Sequence, residues 1–359
     1  MIVRERALNT FLDLVRVNGP SGGEGPIAAE VLRRLAALGC ETRQDGYGNV
    51  LAYLPGQGGP PLLLNAHLDC VQPCLGIKPV VEGDVVRSDG TTVLGADDRA
   101  GVAAVLEALT SIRESQRPHL PLELIFTLGE ESGLLGAKAL DCRQLEARWG
   151  LALDSHGPVG GCIVSAPWHD VITAVVHGRA AHSGVEPEKG ISAIQIAASA
   201  IASMPLGRID AETTANVGKI SGGTAGNIVP DRVELLAEAR SRDEEKLRRQ
   251  TSAMVRTLDQ AASAAGGRAD IKVNRAYNGF NLKDSDPIVA RFVATAASLG
   301  ITPRLQATGG GSDANVFHAR GIQVLNLSAG YEDVHTTYEH IKVSELVQLC
   351  ALVEAMVMV

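Results

Sequence analysis

Pro61-Leu62-Leu63-Leu64-Asn65-Ala66-His67-Leu68-Asp69 is an almost unbroken apolar run that ends on two residues able to bind a proton or a metal. Apolar side chains at both odd and even positions mean that both faces of a strand meet hydrophobic neighbours. That is the pattern of a strand in the middle of a sheet covered on two sides. Residues two apart share a face, so His67 and Asp69 can point together where the strand ends. Asp69 could then accept a hydrogen bond from the remote imidazole nitrogen, fixing the ring and raising its basicity as a ligand. Taken alone, a His-x-Asp pair suits an ordinary surface turn equally well.

Working outward, residues 48–54, 122–128 and 149–153 read as further strands, and 3–17, 25–38 and 99–113 as helices. After the middle of the chain come a helix at 287–297, strands at 306–308 and 323–327, and a final helix at 342–358. Helices alternating with buried strands predict a three-layer α/β domain. The middle reads differently: strand 171–176, helix 191–203, strands 213–220 and 232–240, helix 243–265, strand 270–275. This β-α-β-β-α-β order is the ferredoxin-like, split βαβ arrangement. It implies an inserted domain at 169–280, with the outer domain assembled from 1–168 and 281–359. Its exposed sheet edges predict a homodimer formed through the insertion.

The chain has 359 residues with 33 Lys and Arg against 41 Asp and Glu, a formal charge of -8. No basic block is present, which argues against a nucleic-acid partner. Aromatic residues make up only 3%, so the core is built from Leu, Val, Ile and Ala. Nothing approaches a membrane span, and residues 1–19 lack a signal peptide's uninterrupted apolar segment. The six cysteines form no CxxC pair, which reads as reduced thiols in a cytoplasmic protein. Cys70 and Cys74 flank Pro73 like half of a metal site whose other half is missing.

Four more segments carry acids or a histidine at strand ends or turns: Gly95-Ala96-Asp97-Asp98-Arg99, Gly129-Glu130-Glu131-Ser132-Gly133, Asp154, and His335 within 331–340. One aspartate of the Asp97-Asp98 pair could bridge two metals while the other caps the helix. Adjacent carboxylates at Glu130 and Glu131 repel unless cations or a shared proton are near. Together with His67 these residues form a nitrogen- and oxygen-rich set that suits Zn, Mn or Co.

The chain resembles the two-metal exopeptidase and aminoacylase superfamily that includes carboxypeptidase G and acetylornithine deacetylase, and most of all its peptidase T-like branch. The resemblance spans essentially the whole sequence. It rests on NAHLDCV (65–71), SDGTTVLGADDRAG (88–101), LGEESGLLGAKAL (128–140), AAHSGVEPEKGISAI (180–194), GGTAGNIVPD (222–231), TGGGSDANVF (308–317) and YEDVHTTYEH (331–340). It implies two divalent ions per subunit, Zn first and Co or Mn as alternatives. His67 and Asp154 would be terminal ligands of one ion, Glu131 and His335 of the other, and Asp97 the bridge. Glu130 would be the general base and Asp69 the residue that orients His67. Arg99 stands where the pattern often has Lys.

The insertion resembles the superfamily's lid and dimerisation domain. His182 matches a histidine that stabilises the tetrahedral oxyanion. Asn227, Arg240, Gly310 and Ser312 match positions or segments beside the substrate. The implied activity is hydrolysis of small peptides, an aminopeptidase acting on di- or tripeptides. A deacylase of N-acyl amino acids is the alternative, since the same centre serves both. A scaffold that has lost its chemistry would show a degenerate ligand or base, and every expected position is filled. A serine-hydrolase reading fails at Gly310-Gly311-Ser312-Asp313-Ala314, which is not a G-x-S-x-G elbow.

Overall fold

The computed structural model describes residues 1–359. The opening run forms the strand Leu62–His67, and all six of its residues are buried. Parallel neighbours flank it on both sides, Leu122–Thr127 and Trp149–Ser155. Gln323–Ser328 continues the sheet parallel to Trp149–Ser155, followed by Gly161–Ala166. At the other edge Val50–Leu54 and Glu41–Gln44 add antiparallel strands.

Four adjacent parallel strands therefore end at one margin of the sheet, which is where open α/β sheets bind ligands. The register sets that margin: His67 lies opposite Thr127, and Ser155 opposite Ser328. Glu130, Asp154 and the segment leading to His335 all leave the sheet there. Burying one leucine side chain is worth about 1.5–3 kcal/mol. Leu62, Leu63 and Leu64, each at most 1% exposed, thus anchor the strand that carries His67.

Leu62, Leu64 and Ala66 share a core with the helices Arg4–Arg16, Ala96–Ser115 and Val343–Val357. Ala96–Ser115 runs close against the sheet, and Gly101 makes the approach possible. A Cβ there would stand 2.8 Å from Leu153 Cβ and 2.5 Å from Asp98 Oδ1. The sequence reading misses a small antiparallel sheet of Pro79–Glu82, Val85–Ser88, His340–Lys342 and Tyr331–Glu332. Its strands have four residues or fewer, too short for a period-two pattern to register. This sheet frames the loop that bears His335.

The chain divides into two compact units, one of Met1–Val164, Leu282–Ala307 and Ser312–Val359, the other of Ser165–Asn281 with Thr308–Gly311. The second unit has the expected β-α-β-β-α-β order. Its sheet runs Thr213–Gly222, Arg232–Ser241, Trp168–His177, Arg268–Tyr277, with Gly207–Arg208 added beside the first of these. Along Arg232–Ser241, buried Val233, Leu235, Ala237 and Ala239 alternate with more exposed residues. They meet the helices Ala193–Ser203 and Glu244–Ala264, capped by Ser192 and Asp243. No helix of the chain is long and apolar enough to cross a membrane.

Candidate metal centre

The residues expected as ligands converge at the strand ends. His67 Nε2 lies 3.1 Å from Asp97 Oδ1 and 3.7 Å from Asp154 Oδ1. His335 Nε2 lies 2.7 Å from Glu131 Oε1 and 3.4 Å from Asp97 Oδ2. Asp97 therefore presents one oxygen to each group, as a bridging carboxylate must. His67, Asp97 and Asp154 form one cluster with metal-ligating spacing, and Asp97, Glu131 and His335 form a second. Glu130 joins His67 and Glu131 in a third, which places its carboxylate beside both.

Asp69 holds this arrangement together. Its Oδ1 accepts from the Glu130 amide at 2.9 Å, and its Oδ2 from the Glu131 amide at 3.1 Å and the Ser21 hydroxyl at 2.7 Å. One buried carboxylate thus fixes the backbone of both glutamates. The expected side-chain bond to the imidazole is displaced: His67 Nδ1 is 3.1 Å from the Asp69 carbonyl and 3.4 Å from its carboxylate. The carboxylate is turned toward its three other donors. Asp98 serves the fold, accepting from the His67 and Gly101 amides at 3.2 Å each.

Three supporting residues escape the sequence reading. Ser21 and Glu24 come from the loop before the second helix, and Glu24 Oε1 accepts from the Gly129 amide at 3.1 Å. Glu339, 1% exposed, accepts from the amides of Leu94, Gly95 and Asp97 at 2.7–2.9 Å. It thereby clamps the turn that carries Asp97. Ser-Gly-Gly-Glu at 21–24 looks like any turn, and Glu339 lies more than 240 residues from its partners. Neither leaves a local signature.

The electrostatics fit a cation. No Lys or Arg pairs with Asp97, Glu130, Glu131 or Asp154, so their charge is left to two imidazoles. Burial, then the negative charge of Asp154, Asp313 and Glu131, pushes the Glu130 carboxyl well above the usual range. Burial likewise raises Asp154, with Asp97 adding repulsion. Burial also opposes ionisation of Asp97, but its bonds to His335 and His67 prevail and hold it below the ordinary range. Hydrogen bonds to Asp97 and Glu131 raise His335 to about 10. Cations among these groups would relieve the repulsion, and the mixture of donors suits Zn, Co or Mn.

The remaining predicted residues divide by unit. Within the inserted unit His182 is exposed and bridges Ile228, beside Asn227, whose carbonyl accepts from the Ser183 amide at 3.0 Å. Arg240 donates to Glu238 at 3.0 Å, the Tyr277 hydroxyl at 3.2 Å and the Gly309 carbonyl at 3.4 Å, next to exposed Gly310. Ser312 is 6% exposed and its hydroxyl is engaged, capping the helix Asp313–Ala319 and accepting from Asn326 at 3.1 Å. Cys70 and Cys74 are buried free thiols, and neither belongs to a metal-spaced cluster.

Residues 171–265 match the model of the Peptidase dimerisation domain, and residues 49–159 that of Peptidase family M28. Protein YqjE of Bacillus subtilis is 45% identical over 99% of both chains. Aminopeptidase PepT of Bacillus cereus has a solved structure with 45% identity and a TM-score of 0.93, covering 99% of this chain and 98% of its own. A tripeptidase of Staphylococcus aureus shares 40% identity with a TM-score of 0.96 over the same 99% and 98%. The chain belongs to the PepT-like peptidases of the M20 family.

Proposed function

We propose that this chain is a two-metal aminopeptidase that removes the first residue of di- or tripeptides. The observation that carries this reading is Asp97, whose two carboxylate oxygens face His67 and His335 respectively. In this assignment His67 and Asp154 would hold one divalent ion, Glu131 and His335 the other, and Asp97 would serve both. Zn is the metal assigned, and Co and Mn fit the same donors. When bound, the ions polarise the scissile carbonyl and bring the pKa of a water toward neutrality.

Glu130 then takes the proton of the attacking water and delivers it to the leaving amine. Its carboxylate stands beside His67 and Glu131, where it can hold that proton between the two steps. Asp69 keeps Glu130 in place through its amide and faces the ring of His67. His182, exposed on the inserted unit, is assigned to the charge that develops on the substrate oxygen. Asn227, Arg240 and Gly310 are assigned to the substrate's backbone and carboxylate. The Ser312 hydroxyl, already bonded, is assigned to shaping the glycine-rich segment.

The aminopeptidase and tripeptidase among its relatives support the substrate class. The dimerisation-domain match supports a homodimer through the inserted unit. Six free cysteines support residence in the cytoplasm. The test is amine release from tripeptides with free amino termini, their acetylated forms, and N-acyl amino acids. Turnover of the free peptides alone is expected. Turnover of only the acylated compounds would replace this reading with a deacylase.

A further inference from the structure

Tyr331 is among the largest fully buried side chains, at 1% exposure. Its hydroxyl lies 3.1 Å from Asp97 Oδ1 and 3.4 Å from Asp154 Oδ1. These are the two oxygens that stand beside His67 Nε2. A phenol has a single proton to donate, and the shorter contact makes Asp97 its acceptor. The backbone leaves the ring little freedom, because Tyr331 pairs with Ile341 and its carbonyl accepts from the Gly157 amide at 2.9 Å. Filling this space needs only a ring, and a buried hydroxyl is costly unless it is bonded.

We propose that Tyr331 is a positioning residue for the first metal position, its hydroxyl fixing Asp97 Oδ1 beside His67. Donation to Oδ1 sets the rotation of the Asp97 carboxylate, and so leaves Oδ2 for the His335 side. The inference rests on the two-metal reading above, and it concerns a residue that need not touch the substrate.

The test uses full-length metal-free protein carrying Tyr331→Phe, which keeps the ring, and Tyr331→Met, which keeps bulk without a hydroxyl. Each is titrated with Co(II), followed by visible absorption, alongside the wild type. The expected result is a loss of about 10- to 100-fold in affinity for the first equivalent, with altered Co(II) absorption. At saturating metal, kcat should fall while KM for a tripeptide stays near the wild-type value. Melting of the metal-free protein is the structural control. Wild-type affinity in both variants would overturn the proposal, and so would a lower melting temperature with affinity unchanged. Wild-type protein that binds two equivalents yet cleaves no peptide would defeat the aminopeptidase reading alone, leaving the affinity comparison to decide on Tyr331. Wild-type protein that binds no metal would defeat both.

Discussion

His67 ends a strand whose six residues are all buried and is itself 1% exposed, whereas His335 is half exposed and sits in a loop. The same contrast extends to their neighbours. His67 is fixed by the sheet register, the Asp69 carbonyl and the packing beneath it. His335 and Asp333 both adopt left-handed backbone, with φ of 62° and 55°, a conformation that non-glycine residues hold only when their surroundings impose it. On the proposed assignment, one metal position is a product of the hydrophobic core, and the other of a surface turn steadied by Glu131. The difference teaches that two chemically similar posts need not bind equally: the first should fill earlier and release later.

The largest effect should come from the residue that serves both positions without being assigned to either ion. Glu130→Gln is expected to lower kcat by about 10²–10⁴-fold. Both metal equivalents should remain, as measured by elemental analysis after gel filtration. Comparing ligand deletions probes the asymmetry itself. His67→Ala should weaken binding of the tight equivalent by more than about 100-fold, beyond what loss of an outer partner costs. His335→Ala should keep one tight equivalent and lose the weaker one. Equal losses in the two variants, measured by equilibrium dialysis, would erase the distinction.

Asp69→Asn addresses the residue that ties the halves together. The amide nitrogen would confront donors that now meet a carboxylate, so metal affinity should drop about 10- to 100-fold. The smallest effect is in pH. A histidine must lose its proton to bind a metal, and His335 in the metal-free protein is raised to about 10 by Asp97 and Glu131. Below that value the proton competes with the ion. Affinity of the weaker equivalent should therefore rise with pH, by about tenfold per unit at most for one proton.

The strand at 62–67 was legible because apolar residues on both faces admit few other readings. The candidate ligands His67, Glu131 and Asp154 were legible because each stands at or just beyond such a strand, where topology collects them at one margin. The β-α-β-β-α-β order of the inserted unit likewise showed in periodicity alone. What remained hidden depends on contacts that no local pattern encodes. Glu339 and Tyr331 reach Asp97 across more than 230 residues of sequence. Ser312 looked like a polar residue offered to a ligand beside three glycines, but its hydroxyl closes a capping box with Asn315. Asp69 was expected to serve His67 alone, and its carboxylate instead carries the amides of both glutamates.

The central claim is that peptide hydrolysis depends on two ions sharing Asp97. Chelated protein would be reloaded with Zn in fractions of an equivalent, and amine release from a tripeptide with a free amino terminus followed at each step. The account predicts no turnover in the chelated protein, a tight first equivalent, full activity once two are bound, and turnover lowered by about 10²–10⁴-fold at every loading in Glu130→Gln. Full activity in the chelated protein, or silence toward every free peptide with two ions bound, would contradict it.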